Sequence, residues 1–319
     1  MLRQFDTHGP DDAGYAAGHK TSERASDVPT AIATASYRGD FERCRLLCES
    51  LDARVTGYTR HLILVEAADV PLFRQLAGPK REIVDERDLL PFWLRPFPDP
   101  TTLGRRRIWL SPFGLPLRGW HVQQLRRIAL AASLDEEVMV SIDSDVVFLK
   151  DFDVGSFSPD GRTMFFRRPD AIAHVLPDLQ AVHLEWSRKA GRLLGIAAPE
   201  TTETGYVATL IPWRTKAVRA MVETIAAVSG RSWLATLAAT RILSECTIYG
   251  RFVDEVEGRI DDYVPMAESL CRMYWAGAPM DADTLARFVD SLETSQVAAG
   301  IQSFTATDPR LIRQAAGLL

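Results

Sequence analysis

Two aspartates separated by a single residue, Asp143 and Asp145, are the clearest candidates for a chemical role in this sequence. They directly follow residues 138–142, an apolar run typical of a central strand that is covered on both faces. In an open α/β sheet, ligands bind beyond the carboxyl ends of the strands. Two carboxylates there can bind one hard divalent cation, which would bridge the oxygens of a diphosphate. The spacing therefore predicts a metal site at Asp143 and Asp145, with a solvated turn as the alternative.

The same Asp-x-Asp pattern occurs twice more, and position separates these copies from the first. Asp281 and Asp283 stand at a predicted helix start, where acidic residues are favoured by the helix dipole. Asp151 and Asp153 come after the apolar strand has ended, in a predicted loop. We predict structural roles for both pairs.

Alternating strands and helices are predicted around the first Asp-x-Asp pair. Residues 31–35 form an apolar run after Pro29, and apolar residues at helical spacing follow over residues 41–51. Strand, loop and helix in this order are the start of a parallel sheet, because parallel strands need a crossover connection. Further strands are predicted at residues 61–65, 82–84, 162–167, 205–211 and 297–304, and further helices at about 214–229, 232–241, 245–256 and 282–292.

Two segments do not fit this alternation. Residues 91–119 are rich in proline and glycine, which predicts an irregular binding loop with one short strand at residues 108–110. Residues 1–28 are polar and aperiodic, and we predict a flexible N-terminal tail there.

Composition excludes several classes of protein. The 319 residues carry a net charge of −5, which argues against a nucleic-acid partner because such proteins usually present a basic patch. No run approaches the ~20 apolar residues of a transmembrane helix, and the N-terminus lacks the apolar core of a secretory signal. We therefore expect a cytoplasmic protein. The four cysteines have no zinc-site spacing, which predicts buried reduced thiols.

The sequence resembles the GT-A glycosyltransferases. The resemblance rests on a first strand that ends in residues 34–40 (TASYRGD), on Asp143-Ser144-Asp145 after a buried mid-chain strand, and on the alternating elements. A narrower resemblance, to a bacterial GT-A-like family of largely undefined substrate, extends from about residue 29 to 315. Its matching pieces are Gly119-Trp120 with Gln123-Gln124, residues 206–213 (YVATLIPW), Ser244-Glu245 with Tyr249-Gly250, and Ile301-Gln302-Ser303 with Asp308-Pro309.

The resemblance implies a single GT-A-like domain over residues 29–319, with a Rossmann-like, mostly parallel central sheet flanked by helices. It also implies a nucleotide-diphosphate-sugar donor, a divalent cation (most simply Mn²⁺, or Mg²⁺) and transfer to a hydroxyl acceptor such as a glycan. The end of the first strand would then hold the nucleotide, through Thr34, Ser36, Tyr37 and Asp40. The alternative for this segment is a turn capped by Asp40.

Further contacts are expected around the metal. Ser144 lies between the two aspartates. Helical spacing of Val122, Leu125, Ala129 and Ala132 predicts a helix before the apolar strand. Gln123 and Arg127 lie on its polar side, where a solvated face is the alternative. Glu245 is a candidate general base, or a residue favoured at a helix start by the dipole. Many GT-A enzymes complete the metal shell with a histidine near the C-terminus, but this chain has none after His183. Gln302 or Ser303 is therefore the predicted substitute, contacting the metal or the diphosphate.

Two other functions remain open at this stage. A nucleotidyltransferase would also use an acidic metal pair, but it would normally place a glycine-rich basic loop after the first strand, and residues 36–39 contain one glycine. A catalytically inactive GT-A-like domain that serves as a binding or scaffold module is the second alternative, which the missing C-terminal histidine keeps open.

Overall fold

The apolar run after Pro29 forms the first strand of a parallel sheet, as the sequence predicts. The computed structural model describes residues 28–175 and 177–318. The tail predicted for residues 1–28 lies outside these residues, apart from Val28. The strands are, in chain order, β1 (Thr30–Ala35), β2 (Val55–Thr56), β3 (His61–Val65), β4 (Arg81–Asp85), β5 (Arg95–Pro98), β6 (Arg107–Leu110), β7 (Leu117–Arg118), β8 (Val138–Ser141), β9 (Val146–Phe148), β10 (Phe152–Asp153), β11 (Thr163–Phe166), β12 (Ile211–Arg214), β13 (Tyr263–Met266), β14 (Cys271–Tyr274) and β15 (Ala298–Ile301).

The central sheet has the strand order β4-β3-β1-β8-β12. Its first four strands are parallel, and β12 pairs antiparallel with β8. The chain runs from β1 outward through β3 to β4 and then returns to β8 on the other side of β1. The strand order therefore reverses between β1 and β8, which is the position where open α/β sheets bind ligands. A mixed α/β fold with a mostly parallel sheet is confirmed.

Every residue of β1, β3 and β8 is buried, because both faces of this sheet are covered. The helices are α1 (Phe41–Arg54), α2 (Val70–Phe73), α3 (Glu86–Leu89), α4 (Gly119–Ser133), α5 (Pro177–Leu194), α6 (Thr215–Ser229), α7 (Trp233–Ala239), α8 (Glu245–Glu255), α9 (Ala282–Asp290) and α10 (Pro309–Ala315). Helix α4 packs on β1 and α6, and α1 packs on β9. Among the described residues, no helix is long and apolar enough to cross a membrane. All four cysteines are buried and free, as predicted.

A second sheet joins the C-terminal part of the chain to the segment after β8. Strand β15 pairs parallel with β14 and antiparallel with β9, so that Gly300 stands opposite Val146. The predicted last strand therefore exists, although it ends at Ile301 and a single turn of 3-10 helix follows over Ser303–Thr305. This pairing brings the C-terminal strand beside the Asp-x-Asp segment.

Two sequence-based assignments are wrong. Residues 206–210 are irregular, and strand β12 begins only at Ile211, after Leu210 with its positive φ of 56°. The 91–119 segment is a three-stranded antiparallel sheet, β5-β6-β7, and not an irregular loop. Two of the prolines that suggested a loop, Pro96 and Pro98, lie in β5, an edge strand, where a missing N–H is tolerated. The sequence patterns do not predict β9, β13, β14 or α5.

A buried ion pair fixes the β5–β7 sheet to the central domain. The guanidinium of Arg126 on α4 bonds the carboxylate of Glu86, which follows β4. The indole N–H of Trp109 on β6 donates to the same carboxylate at 3.1 Å. Because these side chains are buried, removing one partner would leave a buried charge or donor without its neighbour.

Gly250, on helix α8, provides a test of this packing. A Cβ added there would lie 2.1 Å from the ring of Tyr206, which is buried and donates a hydrogen bond to Asp254 at 2.7 Å. We expect Gly250→Ala to lower the free energy of unfolding by about 1–3 kcal/mol, because overpacking outweighs alanine's better helix propensity. Urea unfolding measures this. Gly119→Ala is the control, since its added Cβ has no neighbour closer than 3.9 Å. A Gly250→Ala protein as stable as the wild type would contradict the expectation.

Candidate functional site

The loops that follow β1 and β8 lie side by side at the switch point. Ala33 of β1 pairs with Ser141 of β8, and the Ile142 N–H donates to the Ala33 carbonyl at 3.0 Å. The chain then passes through Asp143 and Asp145 before β9 begins at Val146. The structure therefore brings residues 36–40 and 143–145 to one edge of the sheet, as the sequence analysis expected.

Asp143 is held from two sides and remains open to solvent. Its backbone N–H donates to the hydroxyl of Thr209 at 3.0 Å. Thr209 lies in the irregular segment before β12. Its carboxylate accepts a hydrogen bond from the guanidinium of Arg127 at 3.1 Å. The side chain is 39% exposed, so one edge of the carboxylate is accessible to a ligand.

Arg127 connects Asp143 to Glu245. Its second nitrogen ion-pairs with the Glu245 carboxylate, and the Glu245 backbone N–H donates to the side-chain oxygen of Gln124 at 2.9 Å. Burial opposes the charge on Arg127, but Glu245 and Asp143 more than offset this effect and raise the pKa of the guanidinium. Burial raises the pKa of Glu245, against the stabilising charge of Arg127. Helices α4 and α8 thus meet behind Asp143 through one shared guanidinium.

Asp145 lies deeper than Asp143. Its carbonyl accepts a hydrogen bond from the Ile301 N–H at 3.0 Å, as part of the contact between β9 and β15. One oxygen of its carboxylate is buried without a hydrogen-bond partner. Burial, followed by the charges of Asp143 and Asp40, raises the pKa of Asp145 to about 7, although Arg43 opposes the shift. Arg43 acts on this carboxylate only through its charge, because no described residue forms a salt bridge with Asp145.

Asp40 and Ser303 meet on the other side of Asp145. Burial raises the pKa of Asp40, which the Ser303 hydroxyl and the Arg43 charge partly counteract. Arg43 is itself buried and donates to the carbonyls of Ile301 and Thr307, at 2.8 and 2.9 Å. It therefore fixes the C-terminal segment against α1. The structure thus confirms that the segment after β15 lies beside the Asp-x-Asp residues.

The charges of this cluster do not balance. Four carboxylates, from Asp40, Asp143, Asp145 and Glu245, interact with only two guanidinium groups, from Arg43 and Arg127. This leaves an excess of two negative charges when all the groups are ionised. Hard divalent cations prefer oxygen ligands, and the unpartnered Asp145 oxygen and the exposed edge of Asp143 match that preference.

The side chains alone would form an incomplete metal shell. No group of three or more His, Cys, Asp or Glu side chains in the described part of the chain is placed to hold a metal ion. Two carboxylates are the protein ligands that the cluster offers, so that phosphate oxygens, water or the polar side chains of residues 302–303 would complete the coordination.

The predicted nucleotide contacts divide into two groups. Thr34 and Ser36 have no exposed surface, and the Thr34 hydroxyl bonds the His61 ring at 3.0 Å while Ser36 lies against the Cys44 thiol. We therefore correct their assignment: both are core residues beneath the site. Tyr37 is 47% exposed, and its ring covers Gly39, where an added Cβ would lie 2.4 Å away.

The remaining predicted residues surround the cluster at different depths. Ser144 is buried between the two aspartates, whereas Gln123 and Gln302 are half-buried. The Gln302 backbone N–H donates to the Tyr274 carbonyl at 3.3 Å. The predictions that these residues contact a donor stay predictions.

The other two Asp-x-Asp pairs have the structural roles that the sequence predicts. Asp281 caps α9 by accepting from the Thr284 N–H at 2.9 Å, and Asp153 accepts from the Gly155 N–H at the same distance. Asp151 is exposed.

Arg43 and Thr209 are site residues that the sequence patterns do not single out. Arg43 is a charged residue among the buried residues of α1, and Thr209 lies in a segment for which the pattern predicts a strand. The only signal for Arg43 is its position one helical turn before the apolar Leu47.

This chain matches one protein family and is similar to a number of solved structures. Residues 25–316 match the model of a family of unknown function, DUF6492. No curated protein matches the sequence. Two similar solved structures are the galactosyltransferase LgtC in complex with donor and acceptor sugar analogues, with a TM-score of 0.48, and an active-site mutant of LgtC, with a TM-score of 0.46. Each is 14% identical, and each alignment covers 91% of this chain and 96% of the other.

Both TM-scores are below 0.5 and the sequence identity is low. The family match, by contrast, covers nearly the whole chain. The chain therefore belongs to the DUF6492 family, a family of unknown function.

Proposed function

We propose that this chain is a glycosyltransferase that moves a sugar from a nucleotide-diphosphate donor to a hydroxyl acceptor, such as a glycan, with a divalent cation at Asp143 and Asp145. The observation that carries the proposal is the excess of carboxylates at the switch point, including a buried Asp145 oxygen without a partner. A ligand that brings both a cation and phosphate groups would relieve that excess.

The two aspartates would hold Mn²⁺ or Mg²⁺ from different depths. Asp143 presents its exposed edge, and Asp145 its unpartnered oxygen. When bound, such a cation would offset the charge that develops on a leaving diphosphate. The protein's own contribution is to hold both carboxylates in place before the donor arrives, through Thr209 and Arg127 on one side and the backbone of Ile301 on the other.

Glu245 has a different role in this proposal from the general base suggested by its sequence context. It is buried, and its carboxylate is ion-paired with Arg127. A general base has to reach the proton that it removes. We therefore assign Glu245 to orienting Arg127, which in turn orients Asp143.

Tyr37 and Asp40 are the residues proposed to contact the nucleotide. The half-exposed Tyr37 ring offers a flat apolar surface on which a base can stack. Burial, together with the charge of Asp40, raises the pKa of Tyr37, so its hydroxyl stays protonated and can donate at neutral pH. Gln302 and Ser303 border the same site through the contact of Ser303 with Asp40.

A nucleotidyltransferase is less compatible with this loop. Such an enzyme would use a glycine-rich basic loop after the first strand, and the basic residue in this loop is committed elsewhere. Arg38 bonds the Asp69 carboxylate at 2.7 Å, at the side of the sheet where β3 ends. A binding module without catalysis is the second candidate function. The absence of a third carboxylate or imidazole ligand in the described residues favours it.

The metal pair is tested by Asp143→Asn and Asp145→Asn. We expect each substitution to abolish Mn²⁺-dependent nucleotide-sugar binding and to lower any donor hydrolysis by about three orders of magnitude or more. Electron paramagnetic resonance measures Mn²⁺ binding, and a thermal-shift screen of nucleotide sugars measures donor binding. Asp151→Asn and Asp281→Asn are the controls, and both should behave as wild type.

Normal donor binding by the Asp143→Asn/Asp145→Asn double variant would exclude the proposed site. Mn²⁺-dependent donor binding without either hydrolysis or transfer would instead identify the chain as a binding module.

The shared guanidinium is tested by Arg127→Met. This change leaves Glu245 buried and unpaired, so we expect a loss of about 3–5 kcal/mol in the free energy of unfolding. Adding Glu245→Gln should recover much of this stability without restoring donor binding, because Asp143 still lacks its partner. Arg192→Met is the control, since Arg192 and Glu200 form an exposed pair that contributes about 0–1 kcal/mol. Equal stability of Arg127→Met and wild type would refute the buried-pair argument.

A further inference from the structure

The segment 91–120, which contains the β5–β7 sheet, has a charge opposite to that of the whole chain. It holds five arginines and one aspartate, and no lysine or glutamate, which gives a net charge of 5 − 1 = +4. The chain as a whole carries −5. The basic charge is therefore concentrated on one small sheet and its loops.

Much of this positive charge is not neutralised by the protein. Arg118 pairs with Asp99, and Arg107 pairs with Glu66. Arg95 and Arg105 are exposed, and neither forms an ion pair with any described residue. The surface therefore carries arginines whose donors are free for an anionic partner.

The β5–β7 sheet has an inner face and an outer face. Trp109 of β6 stands opposite Leu117 of β7, and both are buried against the rest of the protein. The alternate residues form the outer face, where Phe97 pairs with Ile108 and Arg95 with Leu110. Phe97 and Leu110 are exposed there. Apolar and basic side chains thus share one face that no described element covers.

The loops at the ends of this sheet also expose large apolar side chains. Leu103 is 88% exposed and Phe92 is 77% exposed, and Phe113 and Leu115 are exposed as well. The Phe113 ring packs edge-on against the Trp93 ring, with 4.8 Å between the ring centroids. This contact places the β6–β7 loop beside the segment before β5. Exposed apolar patches of this kind mark interaction sites.

We propose that this surface, formed by the outer face of the β5–β7 sheet and its loops, docks on an anionic phospholipid bilayer. Its arginines match the phosphate headgroups, and its protruding leucine and phenylalanine side chains match the boundary of the acyl chains beneath them. An acidic soluble partner would complement the arginines but offers no apolar layer below its charged surface. Arg106 interacts electrostatically with Tyr37, so docking places the candidate site close to the bilayer.

The full-length protein is tested by sedimentation with sucrose-loaded vesicles. We expect binding to phosphatidylcholine vesicles that contain about one third phosphatidylserine, little binding to pure phosphatidylcholine, and loss of binding at high salt. Neither the donor nor catalytic activity enters this assay, so its outcome is independent of the proposed function.

Two pairs of substitutions separate charge from apolar contact. Arg95→Glu/Arg105→Glu should lower the partition coefficient by about 25-fold or more, at about 5-fold for each arginine removed. Phe92→Ser/Leu103→Asn should lower it by at least about 10-fold, because each buried apolar group strengthens interfacial binding. Arg74→Glu/Arg310→Glu makes the same change in net charge with exposed residues outside this segment and should have little effect.

Absence of binding to the phosphatidylserine vesicles at low salt would overturn the proposal. Equal weakening by the control pair would also overturn it, since it would show attraction by the net charge alone. Unchanged vesicle binding by Phe92→Ser/Leu103→Asn would contradict the proposed apolar contact with the bilayer. An acidic protein or glycan would then be the better partner.

Discussion

Mutual repulsion of carboxylates is the constraint around which the switch point is organised. Burial, followed by the charges of the nearby Asp143 and Asp40, raises the pKa of Asp145 to about 7. Such a cluster persists only where the surrounding structure fixes each carboxylate. Arg127 holds Asp143, and the buried Arg43 holds the C-terminal segment beside Asp40 and Asp145. The supporting residues come from helices α1 and α4, which follow β1 and precede β8.

The C-terminal strand completes the site from the opposite side. Pairing of β15 with β9 places Ile301 against Asp145, and the turn that follows places Ser303 against Asp40. Both contacts join parts of the chain that lie about 150 or more residues apart, and closing so large a loop carries an entropic cost. The site therefore depends on tertiary structure, although only one residue separates its two aspartates.

The two faces of the β5–β7 sheet have different surroundings. The buried contact of Trp109, Glu86 and Arg126 joins the inner face to the central domain. The outer face carries arginines and exposed apolar side chains, and no described element covers it. The period of two along a strand separates these two sets of residues, because successive side chains point to opposite faces.

The sequence by itself determined the strand that carries Asp143 and Asp145, the mostly parallel sheet, the helix start at Asp281, and the buried thiols. These follow from local patterns: apolar runs, helical spacing and capping residues. Only the tertiary structure decided that Thr34 and Ser36 are buried, that Glu245 is ion-paired, and that Arg43 and Thr209 support the site. Those outcomes depend on partners distant in sequence, such as Arg127 for Glu245 and Asp143 for Thr209. A local pattern fixes which face a side chain occupies, but the packing of remote elements fixes what that face meets.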